Sequence, residues 1–426
     1  MDSLVDNSQS AFVPDRLITD NILLSHELVK GYGREGITPR CMEIQQLILQ
    51  ATQFGKGDLP FRYLGIPLSR KRLSIIQCKP LIDKILARIK SWTTRYLSYA
   101  GRLQLVKSVL YSIQVYWSQV FVLPRKAVQM IEATCRNFLW TGGNDLSKKA
   151  LIAWDRLCLP KAAGGLNILD IYTWNWAAIG KLLWNICRKK DCLWVKWIHA
   201  YYTKTGDIWE TKTTQASWVV QKIFKAKSMF EKIGLHEADV AAMTKYSIKD
   251  VYGAYRGECP KVPWRRLVCN NNGHPKWTFI LFLALHRRLQ TKERIACWAN
   301  LEDMVCVLCK QENEDIDHLL FECIYAQQLW SKLLTWQGIK RDVWNWKNEV
   351  QWAIENTTRK TAYQEIYRMT LACGVYHVWQ ERNGRIFRES SKSANQIVKQ
   401  VIREIHVRAR KISRLDRYMK DLNFYP

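Results

Sequence analysis

No stretch of this chain is apolar for long enough to cross a bilayer as a helix. The longest run, Trp277 to Leu285, is cut off by His286, Arg287 and Arg288, whereas a span needs about 20 apolar residues, so no membrane role is expected. Met1 to Ser10 lacks a basic segment leading into an apolar core, and no secretory leader is read there. Acidic side chains are scarce: 38 Asp and Glu stand against 65 Lys and Arg, a formal charge of +27 over 426 residues. That excess points to a polyanionic partner, nucleic acid first, because phosphate contacts release condensed counterions. No two aspartates are adjacent, and there is no repeat of fixed period and no low-complexity tract.

Cysteine, by contrast, is plentiful. The 13 residues are odd in number and scattered over a long chain, which argues against a disulfide framework and for a reducing, intracellular setting. The 20 tryptophans are expected to act mainly as anchors between helices.

Periodicity predicts a mainly α, multi-domain chain. Leu17 to Val29 has helical character, with Thr19 or Asp20 available as cap, and Gly31 and Gly33 end it. Around Leu81 to Trp92, residues Ile82, Ile85, Leu86, Ile89 and Trp92 share one face while Lys84 and Arg88 lie on another. Leu103, Val106, Leu110, Ile113 and Trp117 form the stripe of a second buried helix face. Helical segments follow at Val128 to Trp140 and Trp174 to Trp197, with a turn between them at Pro160, Lys161, Gly164 and Gly165. The polar, Thr-rich stretch from Thr203 to Ser217 reads as a linker, and Ile397 to Lys420 as a basic helix or arm.

Two groups of residues carry chemistry. From Arg62 to Lys107 there are eleven Lys or Arg and one acid, Asp83. Of these, Arg62, Arg70, Lys71, Arg72, Lys84, Arg88, Arg102 and Lys107 are the candidate contacts to nucleic-acid phosphates. In CVLCKQENEDIDHLLFEC, two residues separate Cys306 from Cys309, eight separate Cys309 from His318, and four separate His318 from Cys323. Three thiolates and one imidazole make a closed tetrahedral set for structural zinc, with no open position for water or substrate. His318 and Cys323 are expected on one helix. Cys297 competes as a ligand but lies in a different, helical stretch, and Glu312, Glu314, Asp315 and Asp317 read as a solvated loop.

Several segments then resemble one family in order. SQSAFVPDRLITDNILLSHELVKGYG looks like the fingers-side motif of plant LINE-type (non-LTR retrotransposon) reverse transcriptases, and LPFRYLGIPLS with SWTTRYLSYAGRLQLVKSVLYSIQVYW resembles the region beyond their palm. FLWTGG, KALIAWDRLCLPKAAGGLNILD and WNWAAIGKLLWNI are similar to the connecting segment, the stretch from Tyr246 to about Trp330 to the zinc-binding domain, and VWQERNGRIF to the tail. The resemblance implies a fingers-like remnant at 1–42, a thumb-like basic helical region at 43–145, a Trp-rich helical connector at 146–245, a small helical zinc-binding domain at 246–331, and a C-terminal helical segment with a basic tail at 332–426.

One departure dominates. Where such proteins enter the palm, Met42 is followed at once by EIQQLILQATQFGKG, which looks like sequence beyond the metal-binding turn, so the palm and its catalytic aspartates are read as deleted. The fingers-like piece, having lost the sheet it would pack on, is expected to be weakly docked. Polymerisation needs carboxylates for two metal ions, and none of Asp15, Asp20, Asp58 or Asp83 sits in a suitable strand or turn. The expectation is a protein that binds RNA or DNA and structural zinc without catalytic residues, the resemblance implying a nuclear site. Two alternatives stay open: an active RNA-directed DNA polymerase, and a protein-interaction module built on the zinc domain.

Overall fold

Helix-forming sequence dominates the structure, a computed structural model that describes residues 17–30, 46–47, 49–51, 60–69, 71–92, 97–143, 150–203 and 206–422. Among the described residues the named strands are β1 (Phe61–Tyr63) and β2 (Ile66–Leu68), a single antiparallel hairpin pairing Phe61 with Leu68 and Tyr63 with Ile66. The chain is mainly α, and it divides into two units. The first comprises 1–94, 105–146 and 169–258, the second 95–104, 147–168 and 259–426.

In the first unit α1 (Ile18–Val29) packs on the hairpin and on α6 (Leu193–Tyr201) and α7 (Trp218–Lys225). Ile22 and Leu23 are buried. Neither Thr19 nor Asp20 caps the helix, whose N-cap is Leu17. Asp20 instead accepts a hydrogen bond from Trp194 Nε1 at 2.9 Å, and Glu27 accepts from Tyr202 Oη at 2.7 Å and from the Ser217 amide at 2.6 Å. The weak docking expected of this piece is therefore not found over 18–29: helices from later in the chain replace the sheet as its support. The glycines expected to end the helix, Gly31 and Gly33, the rest of 31–42, and Asp15 and Asp58 lie outside the described residues.

Helix α2 (Ile75–Lys90) starts six residues before Leu81 and runs through Pro80. Ser74 and Gln77 form a reciprocal capping box that fixes this earlier start. Ile82, Ile85 and Ile89 are buried against α4 (Arg125–Thr141), and Lys84 and Arg88 face solvent, as the periodicity predicts. The stripe through Val106, Leu110 and Trp117 is also buried; one wide π turn at Val106–Leu110 leads into α3 (Tyr111–Ser118).

The Trp-rich stretch is two helices, α5 (Ile171–Cys187) and α6, broken at 188–192. Asn175 on α5 is buried and fully used: its Oδ1 accepts from the Leu123 amide at 2.8 Å, and its Nδ2 donates to the carbonyls of Ser118 and Phe121 at 2.7 Å each. The Thr-rich stretch is no linker. Thr203, Ile208, Ala216 and Ser217 are buried, and Glu237 accepts from the amides of Ile208 and Trp209 at 2.9 Å each. Helix α8 (Ile248–Arg256) packs on α5.

The second unit is built around α12 (Ala362–Phe387), a 26-residue helix buried along most of its circumference. Helix α9 (Pro275–Leu285), α13 (Ala394–Ala409) and α14 (Ser413–Asp421) pack on it, α10 (Ile324–Trp336) packs on α13, and α11 (Trp346–Asn356) packs on the turn at His318–Glu322. The expected basic arm is thus the two helices α13 and α14, separated at Arg410 to Ile412. No described helix is long and apolar enough to cross a membrane.

Candidate metal centre and basic surfaces

The second unit brings Cys306, Cys309, His318 and Cys323 together, one donor atom from each lying within 4.8 Å of the others. Val305 pairs with Asn313 in an isolated antiparallel bridge, and the Cys306 amide donates to the Glu312 carbonyl at 2.7 Å. The turn closes with the Lys310 amide on the Cys306 carbonyl at 2.8 Å, Lys310 itself taking a left-handed φ of 58°. This is the tight knuckle that two intervening residues suggest. His318 and Cys323 do not share a regular helix. His318–Glu322 is a single π turn, closed by the Cys323 amide on the His318 carbonyl at 2.7 Å, and Cys323 is the N-cap of α10.

The electrostatics favour a thiolate at Cys306 over one at Cys323. The Cys306 thiol is pulled down to about 5, foremost by the Cys323 side chain; burial opposes this, and the amides of Cys309 and Leu308 add to it. The Cys323 thiol is pushed up by the same Cys306 contact and by burial, while the amides of Ala326 and Tyr325 at the start of α10 pull the other way. His318 Nε2 lies 3.3 Å from Cys309 Sγ. Its Nδ1 makes no hydrogen bond of good geometry, but the Glu312 carboxylate lies 3.0 Å from it. A carboxylate on one ring nitrogen orients the other toward a metal. The donor set fits zinc, and with four protein ligands such a site is structural, contributing folding energy and no open position for reaction.

The acids of this loop are not simply solvated. Glu314 is fully buried; Arg382 on α12 grips it through Nη2 at 2.6 Å and Nε at 3.1 Å, and the Lys292 amide donates to it at 2.9 Å. Asp315 accepts from the His318 amide at 2.7 Å, and Asp317 binds both terminal nitrogens of Arg287 at 2.9 and 2.7 Å. From the same helix, Arg385 Nη1 donates to the Val307 and Leu308 carbonyls at 3.2 and 3.0 Å, inside the knuckle. Sequence reasoning missed this bracing. Its signal was VWQERNGRIF, which places Glu381, Arg382 and Arg385 within one turn of a helix, with an acid-rich metal loop upstream to receive them. Cys297 is exposed and belongs to no such cluster.

A second group, Cys373, His377 and Glu404, also meets within 4.8 Å. It is a buried histidine facing a carboxylate, His377 Nε2 to Glu404 Oε1 at 3.3 Å, with only three donors. Among the described residues, neither group able to hold a metal is a set of carboxylates. Asp20 is committed to Trp194, and Asp83 is exposed on α2.

The candidate phosphate contacts divide between the units. Arg62, Lys71, Arg72, Lys84 and Arg88 are exposed in the first unit, where Lys107 is half-buried. Arg102 belongs to the second unit, is half-buried, donates to the Leu97 carbonyl at 3.0 Å and lies over the Tyr99 ring. Arg70 lies outside the described residues. Lys222 and Lys225 on α7 extend the first group: burial, then the charges of Lys225 and Arg72, hold the Lys222 ammonium below its ordinary range. Some 150 residues of sequence separate Arg72 from Lys222, which is why local counting could not find this neighbour.

Residues 246–330, which contain all four donors, match the family described as zinc-binding in reverse transcriptase. A protein of Arabidopsis thaliana named as a ribonuclease H protein is 29% identical over 157 residues, which is 37% of this chain and 24% of that relative. The chain therefore spans about a quarter of that relative's length. No solved structure matches it.

Proposed function

We propose that this chain is a retrotransposon-derived, LINE-type reverse-transcriptase relative that has lost its palm and acts as a nucleic-acid-binding protein held together in part by structural zinc. The reading arranges it as a fingers-like remnant, a thumb-like basic region, a connector, a zinc domain and a basic tail. The match of 246–330 to a reverse-transcriptase zinc-binding family supports the ancestry. The observation that carries the binding role is the closeness of Arg72 and Lys225 to Lys222, whose ammonium is held below its ordinary range by burial first and then by those two charges. Such a surface is destabilised by its own repulsion and gains most from a polyanion. The name of the plant relative brings ribonuclease H to mind, but the described residues contain no carboxylate set to hold catalytic metal ions, and neither hydrolysis nor polymerisation is part of the reading.

The test is a salt titration of binding to single-stranded RNA, single-stranded DNA and an RNA/DNA hybrid. Affinity should fall steeply with salt, and the variant Arg72→Glu/Lys222→Glu/Lys225→Glu should lower the single-strand log–log slope by roughly 2, about 0.7 for each phosphate contact. A salt-independent affinity, or primer extension by the purified chain in magnesium, overturns the reading.

A further inference from the structure

The second unit carries a cationic groove that the phosphate-contact set above does not include. It lies between the N-terminal end of α9 and the exposed side of α13, with a volume of about 620 Å³. On α13, Lys399 and Arg403 are exposed four residues apart and stand on one ridge, and Lys411, just past the end of the helix, is exposed and lines the same groove. At a rise of about 1.5 Å per residue, Lys399 and Arg403 stand roughly 6 Å apart along the axis. Arg408 and Lys276 complete the lining. None of these five cations forms an ion pair with a described residue.

Two of the five are held in place without being neutralised. Lys276 Nζ lies 5.0 Å from the centre of the Tyr376 ring, and Arg408 Nε donates to the Asn272 carbonyl at 2.8 Å. The one acid in the groove, Glu404, is already engaged: it accepts from Gln400 Nε2 at 2.9 Å and faces His377 at 3.3 Å. His274 belongs to the same lining. Burial, then the charges of Lys276, Arg408 and Lys411, hold its imidazole below the ordinary range, and the opposing pull of Glu404 does not cancel them. A solvated helix face ordinarily intersperses acids with bases; this groove carries five bases and one acid.

We propose that the groove between α9 and α13 is a second, separate binding track for the phosphate backbone of a nucleic-acid strand. Charge complementarity selects the occupant: five cations lining one groove match the phosphates of a strand, and the apolar part of the lining, from Trp277 and Val407, suits the sugars between them. The track shares its ligand class with the function proposed above but rests on different residues in a different unit.

The experiment uses the full chain with a single-stranded 20-nucleotide RNA. Lysine acetylation footprinting with and without the RNA should show Lys276, Lys399 and Lys411 protected, while Lys196 on α6 labels equally in both. The variants Lys399→Glu/Arg403→Glu/Lys411→Glu and, as a milder control, Lys399→Gln/Arg403→Gln/Lys411→Gln should each lower the log–log salt slope by roughly 2. Unchanged labelling of the three lysines, in a chain that still binds RNA through the Arg72 surface, overturns the groove and leaves the earlier reading standing. Loss of binding in the groove variants, with the Arg72 variant binding normally, supports the groove and overturns the surface assigned earlier.

Discussion

At the scale of single residues, the Arg382–Glu314 pair decides how firmly the zinc loop is held. Glu314 has no exposure, so removing its partner leaves an uncompensated charge in the interior. Arg382→Leu should therefore cost about 3–5 kcal/mol in urea unfolding, and Arg382→Leu/Glu314→Leu should recover most of that, because the buried charge has gone too. A single variant that unfolds like the parent would show that the pair does not brace the loop. A second titratable residue sets a pH dependence. His26 is buried, and burial, only partly offset by the Ser69 and Pro67 backbone and the Glu27 charge, lowers its imidazole to about 4. Its unfolded value is 6.5, so its contribution is complete above pH 6.5 and is lost as pH falls through 4. The whole difference is roughly 3 kcal/mol. Urea midpoints between pH 7 and 4 should fall less steeply in His26→Leu than in the parent; parallel curves would count against the assignment. The four zinc donors were legible from spacing because metal geometry limits the loops that can close on an ion. Glu314 was not: its burial depends on an arginine 68 positions away, and no local pattern records that.

At the scale of elements, apolar spacing located α1, α2 and α4, because one buried stripe per helix suffices to find it. It failed where burial surrounds the helix or a polar residue is satisfied at long range. Helix α12 buries Glu365, Arg368, His377, Glu381 and Arg382, which in sequence look like a solvated face. The linker reading of 203–217 failed likewise, since Glu237 and Glu27 draw its amides inward from distant segments. Close helix approach gives a paired test. A Cβ on Gly374 in α12 would come within 2.9 Å of the Trp330 ring on α10, whereas one on Gly253 in α8 meets nothing within 4 Å. Alanine gains up to about 1 kcal/mol of helix propensity at either site. Gly253→Ala should therefore be neutral to stabilising, while Gly374→Ala should lose a net 1–3 kcal/mol to overpacking. Thermal midpoints moving together in both variants would refute the close contact.

At the scale of the whole molecule, the two units differ in what they depend on. The first rests on apolar burial around α5 and on hydrogen bonds such as those of Asn175. The second adds a metal centre whose contribution, on the order of 10 kcal/mol in comparable sites, is as large as the typical total stability of a domain, about 5–15 kcal/mol. Zinc removal should consequently open the second unit and spare the first. The purified chain should contain one zinc, lost on Cys323→Ser or on treatment with a strong chelator. Hydrogen exchange should then show α10 and the His318–Glu322 turn losing protection outright, with α12 following from its Arg385 end, where its guanidinium holds the knuckle carbonyls. Protection in α5 should persist, because the helices packed on it, α3, α4, α6, α7, α8 and those at Lys227–Lys232 and Glu237–Ala242, include no zinc donor. Simultaneous loss of protection in α5 and α12 would mean that the chain unfolds as one cooperative body, and it would move the role of zinc from holding one unit to holding the entire fold.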